Sequence, residues 1–310
     1  MSVEISALAT LRILKHCAGI DGSSSNVSGC LLGLDNNKGE VEITNAFVHP
    51  ARGAADFQPQ EKADDSSAAA AVATAPSDSS PAASFQSEML KLLKSVNIDA
   101  NIVGWFQSSS LSSFINEATV DIQFDYQNQN ENAVMIIADT CDANTAHPLR
   151  AYRLSPEYMQ LMRVMRDRKN QGPATLITGG PVGFDLSKNS VFVEVPLTTK
   201  LSILEEAFVF ENRNKIPATV SKDSSSFTTA IQQLSETVED MSIEKVRWST
   251  LASRTSAGTR IRGEDEVKRL QSANDMILLA ENAKFLAKHV ENGAKQSLEL
   301  CRLYRAGLVE

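Results

Sequence analysis

Histidine and cysteine are scarce in this sequence. The four histidines, His16, His49, His147 and His289, form neither His-x-His nor His-Glu-x-x-His, the spacings that bring two imidazoles to one metal ion. The four cysteines, Cys17, Cys30, Cys141 and Cys301, include no Cys-x-x-Cys pair. That excludes the common zinc-finger and dithiol frameworks and predicts buried, reduced thiols. No run of 18 apolar residues occurs, so no membrane span is expected. The first ten residues carry Glu4 and lack a basic segment followed by an apolar one, so no secretory leader is expected either. A cytoplasmic protein is the expectation. Positive charge is also short: 30 Lys and Arg against 38 Asp and Glu leave a net charge of −8, the reverse of the footprint of a dedicated nucleic-acid binder. What is plentiful is apolar material, 42% of 310 residues, enough for a sizeable core and for about two domains of ~100–200 residues each.

Along the chain, strand and helix signals alternate. Val3 to Ile5 reads as a short strand, and Ser6 as the cap of a helix bearing Leu8, Leu11 and Leu14. Asn26 to Leu34 reads as a buried strand, turned by Asp35-Asn36-Asn37-Lys38-Gly39 into Val41 to Val48, where Val41, Ile43 and Phe47 alternate with polar residues. Composition then shifts. Residues 51–84 are mostly Ala, Ser, Asp and Pro, too poor in bulky apolar side chains to offset ~1–2 kcal/mol of backbone entropy per residue, and are read as a disordered insertion. Phe85, Met89, Leu92 and Val96 mark an amphipathic helix; Ile102 to Phe106, Val134 to Ala138 and Leu149 to Leu154 are further strands. Pro156 opens a helix ending in basic Arg166, Arg168 and Lys169, charges that suit its C-terminus. Gly179-Gly180-Pro181-Val182-Gly183 lacks the Lys-Ser/Thr of a phosphate cradle and reads as a turn. Val191 to Val195 is the last clear strand.

Past Leu197 the pattern is helical alone. Leu201 and Leu204 start one segment, and Phe227, Ile231, Leu234, Val238 and Met241 are spaced four, three, four, three, a heptad seam. After a polar break at Thr255 to Gly263, Glu264 opens a long helix with Met276, Leu279, Ala283, Leu286 and Val290 at the same alternation. Such seams need partners to stay folded. Two occupants remain open: each other and the first domain, or a helical bundle shared with other chains. The expected organisation is an α/β (α+β) domain at 1–200, interrupted at 51–84, followed by an all-α region at 201–310.

A more specific signal lies in Val96-Asn97-Ile98-Asp99, Val103-Gly104-Trp105-Phe106-Gln107-Ser108, Phe114 and Asp121-Ile122-Gln123-Phe124-Asp125-Tyr126-Gln127. Together with Val27-Ser28-Gly29-Cys30-Leu31-Leu32-Gly33, Glu42 to Phe47 and Ala151-Tyr152-Arg153-Leu154, it resembles the MPN-domain family, and within it the non-catalytic branch found in eukaryotic translation initiation factor three. The resemblance implies a mixed sheet flanked by helices. In members of that family that cleave isopeptide bonds, a His-x-His-Pro loop and an Asp hold zinc while a Glu acts as base; three protein ligands leave the metal one open site, where bound water becomes far more acidic. Carried over residue by residue, the Glu position is Asn26, the His positions Gln107 and Ser109, the Pro position Ser110, and the Asp position Thr119 or Val120. Neither ligands nor base are present, so the resemblance implies no enzyme and no cofactor. Ser108 to Ser110 lack a nearby His to activate a serine nucleophile. His49 and His16 read as surface or capping residues.

The function the resemblance implies is a scaffold subunit acting in translation initiation. Its expected partners are an f-type MPN subunit of the same complex, PCI-domain subunits reached through Met276, Leu279, Ala283, Leu286 and Val290, and the small ribosomal subunit through the assembly, with no membrane. Alternatives are an inactive MPN subunit of the proteasome lid or COP9 signalosome and, remotely, a zinc-dependent isopeptidase.

Overall fold

The computed structural model describes residues 1–18, 27–36, 39–49, 81–96, 101–139, 149–171, 190–212, 224–256 and 263–305. Expectations for Asn26, the 51–80 stretch, Cys141, His147 and the Gly179–Gly183 turn therefore lie outside the described residues. Eight strands form one mixed sheet: β1 (Ser2–Ser6), β2 (Ser28–Asp35), β3 (Glu40–Val48), β4 (Ile102–Ser109), β5 (Val134–Asp139), β6 (Leu149–Leu154), β7 (Phe192–Val195) and β8 (Leu197–Lys200), in the order β7-β6-β5-β4-β2-β3-β1-β8. The helices are α1 (Ala7–Ala18), α2 (Pro81–Ser95), α3 (Glu117–Gln129), α4 (Pro156–Gln171), α5 (Ile203–Asn212), α6 (Ser224–Ser256) and α7 (Gly263–Arg305).

Local chemistry sets these boundaries. Ser6 caps α1 as expected, its Oγ accepting the Ala9 N–H at 3.2 Å and donating to Thr44 O at 2.8 Å. The β2–β3 hairpin turns at Gly39, whose φ of +81° is the left-handed conformation that glycine takes without steric cost. Gly104 sits where β4 meets β5; a Cβ there would lie 1.9 Å from the Val134 carbonyl oxygen, so no larger residue fits that pairing. The sheet core gathers Val3, Ile5, Leu31, Val41, Ile43, Phe106, Val134 and Ile136.

Three details depart from the sequence reading. In α1 the inward residues are Ala9 and Ile13, while Leu8 and Leu11 face outward, exposed. Helix α2 begins at Pro81, so the last four residues of the 51–84 segment are helical; proline at a first helical position lacks only an N–H that has no intrahelical partner there. And β7 is not the last strand. β8 follows it across Pro196 and pairs in parallel with β1, Val3 opposite Leu197 through Ser6 opposite Lys200. Its Thr198, Thr199 and Lys200 are exposed, so the backbone holds it without the apolar alternation that would mark it in sequence.

The chain gathers into two compact units that are not consecutive in sequence. The first comprises Met1–Ser110, Ala118–Arg153 and Glu194–Thr219. The second comprises Leu111–Glu117, Leu154–Val193 and Val220–Glu310, so the chain returns to the first unit at Glu194 and leaves it after Thr219. Within the second, α6 and α7 form an antiparallel hairpin: Phe227 lies against Gly293, and Ser272 hydrogen-bonds Glu244. Phe285 of α7 meets Phe114 edge-on with ring centroids 5.5 Å apart, and Tyr158 of α4 donates to Asn274 Oδ1 at 2.6 Å.

Candidate functional site

Gln107 and Ser109, which the resemblance sets at zinc-ligand positions, lie on β4, which runs antiparallel to β2, and Thr119 and Val120 lie on α3. Ser28 pairs with Gln107 and Cys30 with Trp105. Period-two alternation puts Ser28, Cys30, Gln107 and Trp105 on one sheet face. A reciprocal pair ties the strands at that end: the Val27 N–H donates to Ser108 Oγ at 2.7 Å, and the Ser108 N–H donates to Val27 O at 2.7 Å. Gln107, Ser108, Ser109, Thr119 and Val120 are all buried. Past this end Leu111 adopts φ +52°, a conformation costing a non-glycine residue roughly 1–2 kcal/mol, offset by burial of its side chain.

A buried polar network fills the adjoining space. Trp105 Nε1 donates to Gln123 Oε1 at 2.8 Å, and Gln123 Nε2 donates to Gln127 Oε1 and to Ala133 O, each at 3.0 Å. The Trp105 indole lies nearly parallel to the Tyr126 ring, 15° apart with centroids at 6.4 Å. Gln123, which sequence reasoning cited only within a motif, is thus the hub holding β4 to α3.

Cys30 is fully buried, its Sγ lying 3.5 Å from His49 Nε2 and 3.7 Å from the Tyr126 hydroxyl. Burial pushes this thiol up to about 12 and lowers the His49 imidazole below its ordinary value. His49, read from sequence as a surface or capping residue, is half-buried, with its ring edge-on to Phe47 and its Nδ1 enclosed without a partner. The expectation of buried thiols holds for Cys30, whereas Cys17 is half-buried and Cys301 exposed. Among the described residues, no three His, Cys, Asp or Glu side chains come together at metal-ligand spacing.

Residues 1–132 match the family described as JAB1/Mov34/MPN/PAD-1 ubiquitin protease. The N-terminal part of this chain is an MPN domain. Curated relatives match further along. The h-type subunit of eukaryotic translation initiation factor 3 from Neurospora crassa is 33% identical over 222 residues, 70% of this chain and 55% of that protein. The proteins of the same name from Sclerotinia sclerotiorum and Emericella nidulans are 34% and 30% identical, over 70% and 74% of this chain and 56% and 58% of theirs. The chain thus spans little more than half the length of these relatives.

The zinc of catalytic MPN domains can be tested against these residues. Gln107 offers a neutral amide, Ser109 and Thr119 hydroxyls, and Val120 nothing. Zinc is bound by thiolate, imidazole and carboxylate, so this set does not fit it, and no metal-assisted step follows from this MPN domain.

The five α7 residues expected to form a bundle seam are placed unequally. Leu286 is 0% exposed, buried within its own compact unit, whereas Met276, Leu279, Ala283 and Val290 are half-buried. On α6, Ile231 and Val238 are 44% and 54% exposed, and Ile243 and Val246 are more so.

Proposed function

We propose that this chain is a non-catalytic scaffold component of a eukaryotic translation initiation factor 3 complex, acting in the cytoplasm by assembly and not by bond cleavage. The observation that carries the reading is the buried Gln107, Ser109, Thr119 and Val120 set, which replaces nitrogen and carboxylate donors with amide, hydroxyl and methyl groups. The names of the curated relatives support the choice of complex. The outward face of α6 supports the mode of action. Four exposed branched apolar residues on one helix form a surface with more to gain from a partner than from water, at ~25 cal/mol for each Å2 buried. In this reading the MPN domain pairs with an f-type MPN subunit, the α6–α7 hairpin joins helices of PCI-domain subunits, and the small ribosomal subunit is reached through the assembly. Affinity isolation of the full chain from cell extract, followed by mass spectrometry, tests this. Initiation factor 3 subunits in stoichiometric amounts are expected; recovery of proteasome lid or COP9 signalosome subunits in their place would overturn it.

A further inference from the structure

We propose that α5 is a docking helix for a partner protein, seating its apolar stripe in a groove with an apolar floor and a lysine-bearing rim. Ile203, Leu204 and Phe208 are 87%, 82% and 68% exposed, and α5 has no buried residue. At about 100° per residue, Ile203 and Ala207 form one row and Leu204 and Phe208 the next, so the four share one side of the helix. Anchors spaced in this way are how an amphipathic helix enters a partner's groove. Three large apolar side chains so exposed gain from burial, at ~25 cal/mol for each Å2 removed from water.

The helix is held ready for such a partner. Only Leu201 and Ser202 separate it from β8, which is paired along its length with β1. Ser202 and Glu205 form a reciprocal cap: the Glu205 carboxylate accepts the Ser202 N–H at 2.7 Å, and Ser202 Oγ accepts the Glu205 N–H at 3.4 Å. At the other end, Asn212 Nδ2 donates to Phe208 O at 2.9 Å. Local bonds thus fix both ends, yet a helix shorter than ~12–15 residues is marginal in water without packing. A groove supplies that packing.

Charge selects the occupant. α5 carries Glu205, Glu206 and Glu211 and no Lys or Arg, the next basic residue being Arg213, past its end. Glu206 and Glu205 border the stripe on either side, and Glu211 closes its C-terminal end. Lys200, just before the helix, is bound to Glu4 and Glu42 at 3.4 and 3.1 Å. A second copy of α5 would bring like charges together, and a helix lying on a membrane would present Lys and Arg where this one presents carboxylates. A protein groove edged by lysine satisfies both the stripe and its border. This rests on the assembly reading only in that the partner is sought among proteins that co-isolate with the chain.

The test compares the assembly isolated on the full chain with the free chain by hydrogen exchange, then joins carboxylates to contacting lysines with a zero-length carbodiimide. Slower exchange over α5 in the assembly is expected, with links from Glu206 or Glu211 to a lysine of a different protein. Leu204→Ser with Phe208→Ser, at exposed positions, should lower those links at least about tenfold, the scale of losing an anchor side chain, and leave the unfolding curve of the free chain unchanged. Unchanged exchange, or the absence of such links, overturns the docking role. So do links that survive the double substitution, links to a second copy of this chain alone, or flotation of the free chain on phosphatidylcholine vesicles that the double substitution abolishes. The outcomes separate this role from the choice of complex. Links to a protein outside initiation factor 3 would keep the role of α5 and sink that choice, whereas co-isolated factor subunits with α5 unprotected would do the reverse.

Discussion

Gln123 of α3 is fully buried, and its amide makes three hydrogen bonds inside the protein. Its oxygen takes the Trp105 indole N–H, and its nitrogen serves Gln127 and the Ala133 carbonyl. Replacing it by leucine of similar size takes this partner from one buried donor, the Trp105 indole N–H, and from two acceptors, Gln127 Oε1 and Ala133 O, at ~1–3 kcal/mol for each group left unsatisfied. Gln123→Leu is therefore expected to lower stability by about 3 kcal/mol, measured by urea denaturation followed through Trp105 fluorescence; a loss under about 0.5 kcal/mol would contradict the network. That Gln107 and Ser109 are not residue types that bind zinc is plain from the sequence. The hub is not. A glutamine inside a helix otherwise reads as solvated, and only the fold brings Trp105 within reach. His49 misled for the same reason: its neighbour Cys30 is nineteen residues away in sequence and adjacent only through the β2–β3 pairing.

At the scale of elements, the long helices show how an apolar pattern misstates a buried face. The α6 seam joins Phe227, Ile231, Leu234, Val238 and Met241 into one line, yet Ile231 and Val238 face out. The line that faces inward runs through Ala230, Thr237 and Glu244, seven residues apart and buried, with Phe227, Leu234 and Met241 flanking it half-buried. Two of those three buried residues are polar, so hydrophobic periodicity cannot register the stripe. α7 repeats the lesson with buried Ser272, Asn274 and Glu281. Such a face carries a pH signature. Burial raises the Glu281 carboxyl, opposed by Lys284 and by a backbone hydrogen bond from Val191; burial, followed by the nearby Glu117 and Glu244, raises Asp275. A carboxyl whose folded pKa lies above its unfolded value binds protons more readily in the fold, so stability rises as pH falls from neutral through the raised pKa and is diminished above it. Glu281→Gln is expected to raise the thermal midpoint at neutral pH, with the gain over the unaltered chain shrinking in mild acid. A gain that stays constant across that range would show that burial does not raise the Glu281 carboxyl.

For the whole molecule, the first 132 residues carry the match to the family. The strand-and-helix alternation of the MPN domain was legible because its strands are either apolar runs, as at Leu31, Leu32, Val134 and Ile136, or alternate apolar with polar residues, as at Val41, Ile43 and Phe47. The placing of α4 with α7 in one compact unit was not, since it rests on Tyr158 reaching Asn274 across 116 residues. The structure also separates two kinds of apolar residue on the C-terminal helices, and the distinction reaches function. Leu286 holds the chain's own fold, and Leu286→Ala should cost ~2–5 kcal/mol wherever the protein is studied. Ile231 and Val238 are exposed. Assembly through that face is decided by quantitative affinity isolation of the full chain carrying Ile231→Asp with Val238→Asp, alongside its unfolding curve. Stability within about 0.5 kcal/mol of the unaltered protein is expected, together with loss of its co-isolated initiation factor subunits. Full recovery of those subunits with the fold intact would contradict an assembly role for α6.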